Sequence, residues 1–426
     1  VAELHARDAR GRSPHRAQLG VVGAEAHRLA LAGDQQDVVV GADQLGADQL
    51  VVVLAEVDGD DAGLARRTAE RLRAANHTVI EVWPGDAFAR SDDSAYVLAP
   101  ERGREGYDLL IRDLMARGMV PGRVAHFWLV TRDESHRPGS SYFHRVQEHG
   151  FYSLLFLAQA IEEENLPKPL HITALTNGAA RVRQEALRWP EKSTLAGPLR
   201  VIPRELPGVT TAMIDLELPE GRGSKDRLDA LALHVLEDLL APPTTAEAAL
   251  RGARRFVRAP RALTLAAAPA PQIRDGGSYL ITGGFGGIGL SIARRLVAEG
   301  ARHIVLVSRG ALPARDTWDR YCKSHGPQDA TARRIEAVLA LEAQGAEVLL
   351  AEADVSNLQQ MQAVAADARA RFGALHGVIH AAGVVDDAPL LTKTQIGIEN
   401  VLTPKIHGTK VLAEVFPDGT LDWLVL

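Results

Sequence analysis

Residues 278–289 read SYLITGGFGGIG, an apolar run that passes directly into a glycine-rich turn. Ser278–Thr282 has the make-up of a buried strand, and Ile288–Glu299, closed by Gly300, has helical spacing. The loop Thr282-Gly283-Gly284-Phe285-Gly286-Gly287-Ile288-Gly289 therefore joins a strand to a helix. A helix N-terminus turns unpaired backbone N–H groups toward an anion. A Cβ in the turn would hold a pyrophosphate away, and tight positions with φ > 0 suit glycine. The stretch reads as a nucleotide-binding loop, against the plainer alternative of a glycine-rich turn with no ligand.

Outward from this loop, the downstream chain alternates regularly. Strand-like His303–Val307, Glu347–Ala351, Leu375–His380 and Leu421–Leu426 are separated by helical Thr331–Gln344, Asn357–Arg371 and Ile398–Val415. That order is a doubly wound parallel sheet over residues 276–426. The second strand ends in Val307-Ser308-Arg309-Gly310, where such folds meet the adenosine ribose. An acidic residue there would favour NAD. Ser308 and Arg309 point to a 2′-phosphate and to NADPH, with an ordinary surface arginine as the alternative. Gly310–Ala330, with Trp318, Tyr321 and Cys322, is long for such a connection and reads as an insertion or a lid.

Upstream, Val51–Leu54, Thr78–Trp83, Val124–Val130, Leu170–Leu175 and Thr211–Leu218 are strand-like. Leu64–Ala75, Tyr107–Arg117, Phe151–Glu164 and Asp226–Leu240 are helical, and the apolar face of Phe151–Glu164 is broad enough for full burial. Residues 51–245 thus form a second α/β unit, without a glycine fingerprint. Residues 246–275, including the basic stretch Arg251–Arg261 and Leu265–Pro271, read as a connector whose arginines face solvent. Residues 1–50 carry the repeat GADQL-GADQL and no sustained periodicity, and read as a linker or poorly ordered lead-in.

The 426 residues are 46% hydrophobic and 24% charged, so the chain has material for large cores. A net charge of −6 speaks against a nucleic-acid or membrane-surface binder. A single cysteine rules out a disulfide framework and leaves no cysteine metal cage, so no metal site is expected. No apolar run reaches membrane-spanning length and no secretory h-region is present, which makes the cytoplasm the expected compartment.

The TGxxxGxG spacing resembles that of short-chain dehydrogenase/reductases. In the same comparison Asp354-Val355 looks like their adenine-contacting pair, and His380-Ala381-Ala382-Gly383 looks like their NAAG element, with His380 in place of Asn and at most supporting backbone. TGGFGGIG, HAAGVVDD and VLTPKIHGTKVL together resemble the ketoreductase domain of a modular type I polyketide synthase. GFYSLLFLAQAI, LTNGAA, AGPLRVIPRELPG and EAALRGARRFVR are similar to the structural subdomain of those ketoreductases. The resemblance covers about residues 80–426 and implies two tandem Rossmann-like units, the first degenerate and structural, the second cofactor-binding.

The resemblance further implies NADPH-dependent reduction of a β-ketoacyl thioester, carried on the phosphopantetheine of an acyl carrier protein, among neighbouring synthase domains. Val385-Asp386-Asp387 resembles the LDD-like motif that marks formation of a D-hydroxyl (B-type), with Asp387 diagnostic. Lys405 resembles the catalytic lysine that lowers the pKa of a tyrosine. That tyrosine and its serine are expected just beyond LDWLVL, so the chain is expected to stop short of them and to be inactive alone. None of the six tyrosines has Lys or Asn four residues on. Two other readings stay open: a non-catalytic scaffold within a synthase, and a free-standing NADP-dependent reductase.

Overall fold

A computed structural model describes residues 49–55, 63–132, 141–243, 245–260, 262–263 and 273–426. The lead-in expected over residues 1–50 lies, except for 49–50, outside the described residues, as does Leu265–Pro271. The chain divides into two compact units.

The first unit runs β1 (Leu50–Leu54), α1 (Gly63–Ala74), β2 (Thr78–Pro84), β3 (Ala89–Arg90), β4 (Ala95–Leu98), α2 (Glu105–Ala116), β5 (Pro121–Leu129), α3 (Tyr142–Val146), α4 (Ser153–Glu163), β6 (Leu170–Asn177), α5 (Ala196–Glu205), β7 (Val209–Leu216), α6 (Ser224–Leu240), β8 (Glu247–Arg251) and β9 (Arg254–Val257). Its nine-stranded sheet has the order β3-β4-β2-β1-β5-β6-β7-β8-β9. Every pairing is parallel except the two edge pairs, β3 with β4 and β8 with β9. Ser153 to Ile161 of α4 are all buried, which is what its continuous apolar sequence requires. Ala388–Thr392 also belongs to this unit. There the Gln159 side-chain amide donates to the Leu390 carbonyl at 2.9 Å, and the Leu390 N–H donates to Glu205 at 2.6 Å.

The reading of 246–275 as connector needs correction at its start. Residues 247–257 are the β8–β9 hairpin, turned at Gly252 with φ +57°. Arg251 is not a solvated linker residue: its guanidinium pairs with the buried carboxylate of Asp215 at 2.7 Å and with Glu185 at 2.9 Å. The basic composition of this stretch hid four buried apolar residues, Ala248, Ala249, Leu250 and Phe256. The short strands β3 and β4 and helix α5 carried too little periodicity to be read.

The second unit continues with β10 (Ser278–Thr282), α7 (Gly287–Ala298), β11 (His303–Ser308), α8 (Trp318–His325), α9 (Ala330–Ala343), β12 (Glu347–Glu352), α10 (Leu358–Phe372), β13 (Gly377–His380), α11 (Gln395–Val415) and β14 (Trp423–Val425). The sheet is wholly parallel in the order β12-β11-β10-β13-β14. Alternation along the strands splits its core in two. Tyr279, Ile281, Ile304, Leu306 and Ile379 face α7 and α9, whereas Leu280, Val305, Val307 and Val378 face α10 and α11. Helices thus cover both faces, as strands this apolar demand. The segment 310–330 contains α8, whose Trp318 is buried in the same core as α9.

Candidate functional site

The glycine loop lies between β10 and α7, at the point where the strand order reverses. Gly283 has φ +64°, and a Cβ on it would meet Ala381 O at 2.6 Å and Ala382 N at 2.7 Å. Gly289 is equally confined, since a Cβ would come 2.6 Å from Gly283 O. These two glycines fold the loop under the 380–383 segment and press α7 onto it. Gly287 is different: nothing lies within 4 Å of where its Cβ would be. Helix α7 begins there with Gly286 as N-cap and no side-chain cap, leaving its first N–H groups for an outside acceptor. Ile288, in that first turn, is 71% exposed, an apolar side chain left largely uncovered by the described residues. Phe285 packs partly into the core with the Arg334 guanidinium 5.7 Å from its ring centre.

At the end of β11, Ser308 Oγ donates to Gly310 O at 2.8 Å, while Arg309 is exposed and has no ion pair among the described residues. Asp354 accepts from the Ser356 hydroxyl at 2.5 Å and from the Ser356 N–H at 2.8 Å. The Ser356 hydroxyl, with Arg309 nearby, holds the Asp354 carboxyl below the usual carboxylate range. A carboxylate so bound serves as the turn before α10 with part of its acceptor capacity left over. The side chain of Val355 is buried in the core with α10 and α11.

Thr282 and His380 are held within the fold. Thr282 is fully buried and His380 is half-buried, and they bind each other, Thr282 Oγ1 to His380 Nδ1, at 2.7 Å. His380 Nε2 lies 2.8 Å from Pro404 O. Both ring nitrogens are engaged within the fold, so the imidazole is not a ligand for a nucleotide. Burial also pushes its pKa down, favouring the neutral ring. Ala381 and Ala382 line the underside of the Gly283 turn.

Lys405 is exposed on α11 beside Gly383: a Cβ on Gly383 would lie 3.8 Å from Lys405 Cε. It has no ion pair among the described residues. The 385–387 segment is anchored through its middle residue. Lys393 Nζ donates to the Asp386 carbonyl, and the Asp386 carboxylate sits at the start of α11, where a Cβ on Gly397 would meet it at 2.9 Å. Val385 and Asp387 remain exposed, with Val385 at 83%. The structure therefore gathers the glycine loop, the 380–383 segment and Lys405. The roles of Lys393 and Asp386 escaped sequence reasoning because neither forms a recognisable spacing with its partner. Among the described residues no group of His, Cys, Asp and Glu could hold a metal ion. Nor is any helix there long and apolar enough to cross a membrane.

Residues 277–426 match the family model described as "KR domain", and residues 62–232 match one described as "Beta-ketoacyl synthase-like, N-terminal". The chain is 34% identical over 276 residues to a phenolphthiocerol/phthiocerol polyketide synthase protein of Mycobacterium tuberculosis, covering 63% of this chain and 14% of that protein. It is 36% identical over 239 residues to 6-methylsalicylic acid synthase of Penicillium patulum, covering 55% of this chain and 12% of the synthase. The chain thus matches only about one-seventh of the length of these curated relatives. Among solved structures, the N-terminal ketoreductase from the macrolactin assembly line superposes with a TM-score of 0.67 at 22% identity, covering 89% of this chain and 70% of that one.

Proposed function

Residues 277–426 belong to the KR domain family, and on that premise we propose that this chain is the cofactor-binding part of a polyketide synthase ketoreductase. Its reaction is reduction of a β-ketoacyl thioester held on an acyl carrier protein, with NADPH as the reductant and neighbouring synthase domains as partners. The cytoplasm fits such an enzyme. The observation that carries the reading is the uncapped start of α7 beneath the open Gly287. It suits a pyrophosphate, and the residues around it suit the rest of a dinucleotide.

The nicotinamide, when bound, supplies the hydride. The first N–H groups of α7 hold the pyrophosphate. Arg309, at the end of β11, holds a 2′-phosphate by a charge-assisted bond. Lys405 places a positive charge beside Gly383. A phenol of pKa about 10 must be brought near 7 to give up its proton readily at neutral pH, which takes about 4 kcal/mol, and a nearby ammonium supplies part of it. No tyrosine in this sequence has the family's spacing. Asp387, exposed beside the anchored Asp386, directs the substrate for a D-hydroxyl product.

The test is a fluorescence titration of the chain with NADPH and NADH. Tighter binding of NADPH supports the proposal, and absence of binding by either overturns it. In the synthase that carries this segment, chiral analysis of a reduced β-ketothioester should show the D-alcohol. Substituting Asp387→Ala should erode that preference, and an L-alcohol from the unmutated enzyme removes Asp387 from its role.

A further inference from the structure

Lys405 sits in the turn of α11 that contains Pro404. Proline has no N–H to donate to the carbonyl four residues back, so that turn lacks one helical hydrogen bond.

His380 meets this turn at two places. Its Nε2 lies 2.8 Å from the Pro404 carbonyl. A carbonyl only accepts, so Nε2 carries the proton, and Nδ1 accepts from the Thr282 hydroxyl at 2.7 Å. One turn further on, a Cβ on Gly408 would approach Nε2 and Cε1 of the same ring to 3.3 Å. Glycine at 408 therefore opens the notch in which the imidazole sits. The Thr282 oxygen in turn lies 3.4 Å from the Ala382 nitrogen. A line of donors and acceptors thus runs from the 380–383 segment, through Thr282 and the ring, into the backbone next to Lys405.

We infer that His380 is a positioning residue, which through the Pro404 carbonyl fixes the turn of α11 that carries Lys405 beside Gly383. Lys405's catalytic task rests on the ketoreductase reading; the latch itself does not. Asparagine, which stands at this position in the NAAG element of short-chain dehydrogenase/reductases, has a shorter side chain than histidine. Glutamine places its amide nitrogen close to where Nε2 lies.

The first measurement is ring ¹⁵N NMR on the unmutated chain. A neutral imidazole protonated on Nε2, with a slowly exchanging proton, is expected; an Nδ1-protonated or freely exchanging ring overturns the latch. The second is the acetylation rate of Lys405 relative to exposed Lys225, read by mass spectrometry. His380→Leu should change that ratio and His380→Gln should restore it, each checked for folding by circular dichroism. An unchanged ratio in a folded His380→Leu overturns the inference, and if that variant fails to fold the NMR result decides. In the synthase, His380→Leu should lower kcat by about 10- to 100-fold, as displaced catalytic groups do, with NADPH affinity unchanged. A synthase with no ketone reduction in its unmutated form sinks the functional reading and leaves the NMR and labelling results standing.

Discussion

Arg309 is exposed, has no carboxylate partner among the described residues, and lies near an Asp354 already bound to Ser356. In the proposed dinucleotide site such a cation would be available to an incoming phosphate. Hydrogen bonds to charged groups contribute about 1.5–3 kcal/mol, or roughly 10- to 150-fold in affinity. Arg309→Ala should therefore weaken NADPH by a factor in that range and leave NADH unaltered; equal losses for both would assign Arg309 to general anion attraction. Gly283 makes a complementary case. Its φ of +64° and the 2.6 Å approach to Ala381 O leave no room for a side chain. Gly283→Ala should cost at least about 1–3 kcal/mol in urea unfolding, from backbone strain alone, and abolish cofactor binding. Both residues were legible in the sequence, because a glycine forced by backbone geometry and a cation at a strand end leave local marks. The second tasks of Thr282 and His380 were not, because their partners lie about a hundred positions apart.

At the scale of elements, the alternation of strand and helix was readable wherever a strand was buried on both faces, as in β10 and β11. It failed at the sheet edges. β3 and β4 are short and partly exposed, and the β8–β9 hairpin exposes enough arginine to look like a linker. Strand β5 offers a test of what burial does to a polar side chain. Its His126 is fully buried against Ser153 Oγ at 2.8 Å, and burial pushes the imidazole down to about 3. The unfolded chain takes up that proton near pH 6.5. The unfolded state then binds more protons than the folded one, so the stability contribution is full above about pH 6.5 and is lost as pH falls toward 3. Denaturant midpoints should fall between pH 7 and pH 5, and His126→Gln should flatten that fall. An unchanged slope in the variant would assign the acid sensitivity to another group.

For the molecule as a whole, the two α/β units were foreseeable, but the path of the chain between them was not. The first unit closes its far edge with the Arg251–Asp215 pair, in which the Asp215 carboxylate is 1% exposed. Removing one partner of a buried pair strands the other charge, at a cost of about 3–5 kcal/mol. Arg251→Met should lower the thermal midpoint clearly, and the double change Arg251→Met with Asp215→Leu should recover much of the loss. If the double variant is no more stable than the single, the arginine acts through its contacts with Glu185 and Ala180. The five residues Ala388–Thr392 carry a different lesson. They lie in sequence within the second unit yet hydrogen-bond to Gln159 and Glu205 of the first. The first unit is therefore discontinuous in sequence, and no single cut near residue 262 leaves it whole. A piece ending near residue 262 would hold the first unit without the segment that covers Gln159 and Glu205.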